Sequence, residues 1–170
     1  MNYFHELLPA QISTNVFEDI GKKWLIIGCQ DSEKNRINVM TASWGAMGIL
    51  WGKPVCILFV RPQRYSFELI EKSDRFSASV FGESYREKLR FCGTKSGRSE
   101  DKVAACGFTP VSFDGTEGFE EADMVLSLRK LYSDDLKESS FLDSSLVQGF
   151  YAAKDFHRMY VCEIEKVLVK

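Results

Sequence analysis

The sequence predicts a mainly β protein, an antiparallel barrel carrying short helical insertions. Three observations lead there. Apolar runs of strand length recur along the chain, several of them alternating with period two. The helix signals between them span only a few turns. No regular β-α-β alternation occurs, which argues against a doubly wound parallel sheet and for a closed antiparallel one.

Taken in order, residues 1–14 show no clear period and are expected as an extended arm or short turn, suited to docking on a partner subunit. Residues 22–30 hold Trp24-Leu-Ile-Ile27, a short buried strand, and the polar cluster 31–36 is a hairpin loop. Residues 37–43 alternate: Ile37, Val39, Thr41 and Ser43 share one face, Asn38, Met40, Ala42 and Trp44 the other. Gly45 and Gly48 then predict a bulge or a close backbone approach. Residues 52–54 read as a turn and 55–60 as a continuous apolar strand, stopped by Arg61-Pro62 because proline cannot continue a central ladder. Ser66 begins a helix of about two turns, with Glu68 in its first turn and Phe67 and Ile70 on one face. Residues 75–81 alternate as a strand with Phe76, Ala78 and Val80 on one side. Ser84-x-x-Glu87 has the spacing of a capping box for a helix to Phe91, stopped at Gly93. Ser99 is the expected cap of a third helix, with Gly107 and Pro110 as its stop. Residues 111–122 carry no assigned element, 123–132 alternate weakly as a strand, and 133–153 read as loop with room for a short helix. Residues 156–170 form the last strand, with Met159 and Val161 opposite Tyr160, Cys162 and Ile164. The count is about six strands.

The totals exclude several classes of function. With 170 residues and no divided composition, a single domain over 1–170 is expected. The net charge of −2 leaves no basic excess for a nucleic acid, although a small anion needs only a local positive site. Five scattered cysteines without a Cys-x-x-Cys pair support neither a metal site nor a redox dithiol motif, and are expected as reduced thiols of a cytoplasmic protein. No basic stretch followed by an apolar run opens the chain, and the longest uncharged run, 37–52, is too short to span a membrane.

Four stretches can carry chemistry. Arg61-Pro-Gln-Arg-Tyr-Ser66 lies at a helix start, where Arg61 or Arg64 can grip a phosphate bidentately and Tyr65 and Ser66 add hydroxyls; the alternative is a cap with two solvated arginines. Cys92-Gly-Thr-Lys-Ser-Gly-Arg98, leading to Lys102, is either a nest of N–H groups for an anion or an ordinary surface loop. Asn38 and Thr41 are polar residues in a strand that otherwise reads as buried, so they pair either with neighbouring backbone or with the edge of a ligand ring. His157 is either structural or a proton donor beside a hydride-transfer face. Together, residues 38–81 offer an apolar wall next to a cationic, hydroxyl-rich corner, which is what flavin mononucleotide (FMN) requires. No metal-ligand spacing, paired-carboxylate signature or Ser-His-Asp order accompanies it.

These segments, with Lys53-Pro54, Phe76-Ser-Ala-Ser-Val80 and Asp155-Phe-His-Arg-Met-Tyr160, resemble the flavin reductase-like family of FMN-binding split barrels, the group that includes flavoredoxin. The resemblance implies a six-stranded antiparallel split β-barrel, a homodimer, and FMN near the subunit boundary. It implies that Asn38, Val39, Met40, Thr41, Ser43 and Trp44 face the isoalloxazine and ribityl chain. Arg61, Tyr65 and Ser66 would hold the phosphate, and Cys92, Gly93, Ser96 and Lys102 would close the site. His157 would lie on the nicotinamide side, with one more residue between Asp155 and His157 than the Gly-Asp-His of relatives. The implied activity is an NAD(P)H-dependent flavin oxidoreductase, passing hydride from nicotinamide to flavin N5 and electrons on to free flavin or a redox protein. The alternative is a flavoredoxin-like electron carrier reduced by a protein partner.

Overall fold

Strand alternation sorts the apolar side chains to two faces of one curved sheet, and each face closes over its own core. In a computed structural model of the chain, residues 4–113 and 115–170 are described. The strands are β1 (His5–Leu7), β2 (Leu25–Asp31), β3 (Arg36–Ala42), β4 (Gly45–Leu50), β5 (Lys53–Val60), β6 (Arg75–Val80), β7 (Pro110–Phe113), β8 (Thr116–Phe119), β9 (Met124–Asp135) and β10 (Arg158–Val169). The α-helices are α1 (Tyr65–Glu71), α2 (Arg86–Thr94), α3 (Lys102–Cys106) and α4 (Ser144–Phe150).

Seven strands run in the order β3-β2-β6-β9-β10-β5-β4, every neighbour antiparallel, and β1 adds to β10. The twelve residues of β10 make it the central staple. One edge pairs with β9, while the other pairs with β5 from Arg158 to Glu163 and with β1 from Val167 to Val169. Register shifts at Val161/Cys162 and Ile164/Lys166 bend it, as bulges do where a sheet must curl. Leu25, Ile27, Met40, Leu58, Phe76, Ala78, Leu126, Tyr160 and Cys162 point into the concave core. The alternate positions Ile26, Val39, Phe81, Val125 and Leu168 meet Leu89 and Cys92 of α2, Val103 and Cys106 of α3, and Phe119 on the convex side. Burying each of the larger side chains contributes roughly 1.5–3 kcal/mol, so both faces bind their layers firmly.

The ends of the strand order, β3 and β4, are not hydrogen-bonded to each other. That unpaired seam is what makes the barrel split. The strand count exceeds the expected six because β7 and β8 pair within a stretch that carried no expected element, and because the glycine-bearing stretch after Ala42 is a strand of its own. Gly45 permits this by close approach: a Cβ there would lie 2.7 Å from Ile57 O. The arm at 5–7 pairs with β10 of its own chain.

Three helix signals resolve differently. The Ser84/Glu87 spacing does not form a capping box; a 3₁₀ turn at Glu83–Tyr85 precedes α2, whose cap residue, Tyr85, makes no side-chain cap bond. Gly93 does not stop α2 but lies inside it, because a Cβ there would press on Thr41 at 3.3 Å. Asp101, not Ser99, caps α3, accepting from Ala104 N at 3.1 Å. Gly107 ends α3 in the left-handed conformation, as expected.

All five cysteines are buried and free. Burial pushes the thiols of Cys29 up to about 11 and of Cys56 and Cys92 up to about 12, so none of these three is a ready nucleophile. Native protein at pH 8 should therefore show almost no reaction with Ellman's reagent, and denatured protein should show five thiols. Rapid modification of even one native thiol would contradict this packing.

Candidate functional site

The seam between the sheet ends is where polar side chains gather. A cavity of about 270 Å³ lies there, lined by Met40 and Ala42 of β3, Thr41, Ser43 and Trp44, by Phe59 and Arg61 from the end of β5, and by Arg64, Gly93 and His157. A smaller cavity of about 150 Å³ adjoins it and shares Met40 and Arg64. Tyr65, Ser66, Ser96 and Lys102 line that second space with Gln63 and Gly97. One elongated site thus has a ring-sized end with an apolar wall of Met40, Ala42, Trp44 and Phe59, and a cationic, hydroxyl-bearing end.

The cationic end has two unusual charges. Arg64 is half-buried, and its guanidinium makes no hydrogen bond or ion pair among the described residues. Burial alone pulls its pKa down. An unpaired guanidinium at the junction of two cavities fits an anionic ligand group. Lys102 is buried, donating from Nζ to Cys92 O (3.1 Å) and Lys95 O (3.3 Å). Burial, with the charge of Arg64 acting in the same direction, pulls it down to about 8.

The walls of this end are locked in place. Asn38 Nδ2 donates to Ser66 Oγ at 2.7 Å, and Tyr65 donates to Asp31 Oδ2 at 2.8 Å. The 95–98 turn is held by cations of the β2–β3 hairpin: Lys34 Nζ reaches Gly97 O (3.1 Å) and Arg98 O (3.0 Å), and Arg36 reaches Gly97 O (2.6 Å). Glycine is required at 97 because any Cβ would overlap Asn38 Oδ1 and crowd Tyr65 at 3.1 Å.

At the ring-sized end, Trp44 packs against His157 with ring centroids 4.7 Å apart and meets Phe150 edge-on at 5.3 Å. His157 Nδ1 is 2.8 Å from the Tyr151 hydroxyl. Ser79 Oγ is the only buried side-chain polar atom without a partner among the described residues, so His157 Nε2, which makes no hydrogen bond, is open to the cavity. Burial, then the Arg61 charge, pushes the imidazole down to about 4 against a pull from Asp155. It is neutral at pH 7 and offers one ring nitrogen to a ligand.

Of the residues singled out in the sequence, Met40, Thr41, Ser43, Trp44, Arg61, Gly93 and His157 line the larger cavity, and Met40, Tyr65, Ser66, Ser96 and Lys102 the smaller. Three do not line either. Val39 alternates to the convex core, Cys92 of α2 is buried in that same core, and Asn38 braces Ser66. Arg61, expected at the phosphate end, lies only at the ring end. It is ion-paired with Asp155 and donates to Phe150 O at 2.9 Å. Arg64, Phe59, Ala42, Gln63 and Gly97 join the site without having been placed there by the resemblance. For Arg64 the signal was present, since a second basic residue preceded the helix; for Phe59 the only trace is its parity on β5, opposite Leu58 and Val60.

Residues 18–169 match the family model described as the flavin reductase like domain. The chain belongs to this family. Among solved structures with the same fold, an FMN-binding protein from Thermus thermophilus with bound p-hydroxybenzaldehyde is 22% identical, with 86% of this chain and 71% of that one covered and a TM-score of 0.66. Flavoredoxin of Desulfovibrio vulgaris (Miyazaki F) is 21% identical, covering 86% and 69%, with a TM-score of 0.67. A split-barrel-domain protein from Shewanella frigidimarina NCIMB 400 is 19% identical, covering 95% and 77%, with a TM-score of 0.68. No curated protein matches the chain. The split barrel of this flavin reductase-like chain is therefore the expected fold class, with more strands than expected. Among the described residues no group of side chains is arranged for a metal ion, and no helix is long and apolar enough to cross a membrane.

The neutral state of His157 can be checked directly. Its NMR signals, assigned with a His157→Gln variant, should show no titration between pH 5.5 and 8. The folded value lies below the ordinary 6.5, so the folded state binds fewer protons between pH 4 and 6.5. Stability contributed by this group is lost as pH falls through that window. A midpoint near 6.5 would mean that the ring stands in water.

Proposed function

We propose that this flavin reductase-like protein binds FMN in the two joined cavities and works as a flavin oxidoreductase fed by NAD(P)H. The observation that carries the reading is Arg64, a half-buried cation with no protein partner, set between a ring-sized space with an apolar wall and a hydroxyl-lined one. The FMN-binding neighbour of the same fold supports it. When bound, FMN supplies the redox chemistry, accepting hydride from a reduced nicotinamide and passing electrons to free flavin or a redox protein.

The chain's own residues would bind, orient and shield. Arg64 and Lys102 would meet the phosphate with the hydroxyls of Ser66 and Ser96. Met40, Thr41, Ala42 and Phe59 would form the wall against the ring, and Trp44 would keep water from its open side. His157, neutral, would present Nε2 to the incoming substrate as a hydrogen-bond partner, not as an acid.

Fluorescence titration with FMN, followed by NADH and NADPH oxidation assays, tests the reading. Arg64→Met should weaken FMN binding by about tenfold or more, the size of one lost charge-assisted contact. Affinity should also fall as pH rises above about 8, because free Lys102 loses its proton there and a bound phosphate would hold that proton on. Lys102→Met should flatten this dependence. A protein that takes up no FMN would sink the proposal; FMN binding without nicotinamide turnover would favour an electron carrier reduced by another protein.

A homodimer is part of the same reading. The edge strand β4 and its turn expose Ile49 (74%), Leu50 (38%) and Trp51 (59%), and Trp51 continues onto Tyr132 with centroids 6.3 Å apart. An unpaired edge with exposed apolar side chains favours a second copy as cover. Light scattering should give a dimer mass for the native chain and a monomer for Ile49→Asp/Trp51→Glu. A monomeric native chain would refute this part.

A further inference from the structure

The use of Arg61 needs explaining, because a cation at the ring end of the site is not spent on an anion in the cavity. One guanidinium nitrogen is ion-paired with Asp155 and reaches the Asp155 carbonyl at 3.4 Å. The other donates to the carbonyl of Phe150 at 2.9 Å. The guanidinium also sits over the Tyr151 ring, 5.3 Å from its centroid. Gln63 Nε2, two residues further on, donates to the same Asp155 carboxylate at 2.7 Å. All these bonds tie the end of β5 to one segment, residues 150–155. That segment supplies the edge-on contact of Phe150 with Trp44, the Tyr151 hydroxyl that holds His157 Nδ1, and the stack of Tyr151 on Phe156 at 4.7 Å.

We propose that Arg61 is a positioning residue. It clamps the 150–155 segment and so, through Phe150 and Tyr151, holds Trp44 and His157 at the ring end, where the flavin reading puts a planar heteroaromatic redox partner. The inference rests on the flavin reading above. The lining agrees with that class: the Trp44 and Phe59 rings for a flat π system, and one open His157 ring nitrogen for an amide or carbonyl edge. The clamp acts through the segment and not on the ligand. Breaking it from either side should therefore act in the same direction.

Arg61→Met and Asp155→Asn test this, with NADH as the donor and menadione as the acceptor. Each variant should raise the KM for NADH by about five- to tenfold while kcat changes by less than about twofold, the pattern of lost binding without lost chemistry. The double variant should be less severe than the sum of the two single ones, since the Arg61–Asp155 ion pair is common to both. The FMN dissociation constant should stay within about twofold of the native value in both, in contrast to Arg64→Met. In the ligand-free protein, amide exchange over residues 144–156 should quicken in both variants. A tenfold loss of FMN affinity in Arg61→Met alone would make Arg61 a cofactor ligand and overturn the proposal. An unchanged KM, or unchanged exchange, would overturn it as well. If the native chain takes up no FMN, the flavin reading falls and the redox partner's place at the ring end with it, while exchange still decides whether the clamp exists.

Discussion

The unpaired seam between β3 and the β4–β5 edge is the constraint on which the rest of this structure depends. A sheet that curls around a core of Leu25, Leu58, Phe76, Leu126 and Tyr160 must either close its hydrogen bonds or leave two edges facing each other. Here they stay open. α2 covers part of the β3 edge, with Thr41 Oγ1 donating to Leu89 O at 2.5 Å, and the remainder becomes a cavity. The polar and aromatic residues that converge there come from distant stretches: Met40 to Trp44, Phe59 to Ser66, Gly93 to Lys102, and His157. The split, not any one motif, collects them.

Electrostatics then divides the cavity into two ends. Holding Arg64 unpaired and Lys102 desolvated is unfavourable in the absence of an anion, because charges taken from water need compensation. Elsewhere the described arginines at the surface are mostly paired, as in Arg158 with Glu71 and Asp135, or Arg129 with Glu163 and Glu165. Two cations without a carboxylate partner among the described residues mark this corner, and they agree with a phosphate-bearing ligand. Beyond Arg64, which stands at the junction, the charged group lining the other end is Arg61, and it is neutralised within the protein. That leaves the part of the ring end away from Arg64 without net charge, which suits a flat, uncharged ring system.

The difference between Arg61 and Arg64 also shows what a linear motif conceals. Three residues apart, both are basic and both flank Pro62-Gln63, so either could be matched to an anion. Arg61 still belongs to the end of β5 and points toward the segment before β10, where Asp155 waits. Arg64 caps α1 after the chain has turned and looks into the cavity. The partner that decides between them is 94 residues away in the chain.

Much of the fold was legible from side-chain periodicity. The alternation over 37–43, 75–80 and 159–164 sorted residues to the two cores as observed, because a strand's geometry is local and period two leaves no other choice. The β7–β8 pair was not legible, since its short strands alternate poorly and are held by Phe113 and Phe119 packing rather than by propensity. Helix ends misled where a glycine or a capping spacing served packing: Gly93 makes room for Thr41, and Gly97 for Asn38. By itself the sequence determined the class of the fold, the composition of the site and the polarity of its two ends, because these follow from residue types and near neighbours. Only the tertiary structure decided which arginine is free, which side chains brace without touching the cavity, and which histidine nitrogen is open. Each of those is settled by a partner brought close by sheet closure, and no local pattern encodes it.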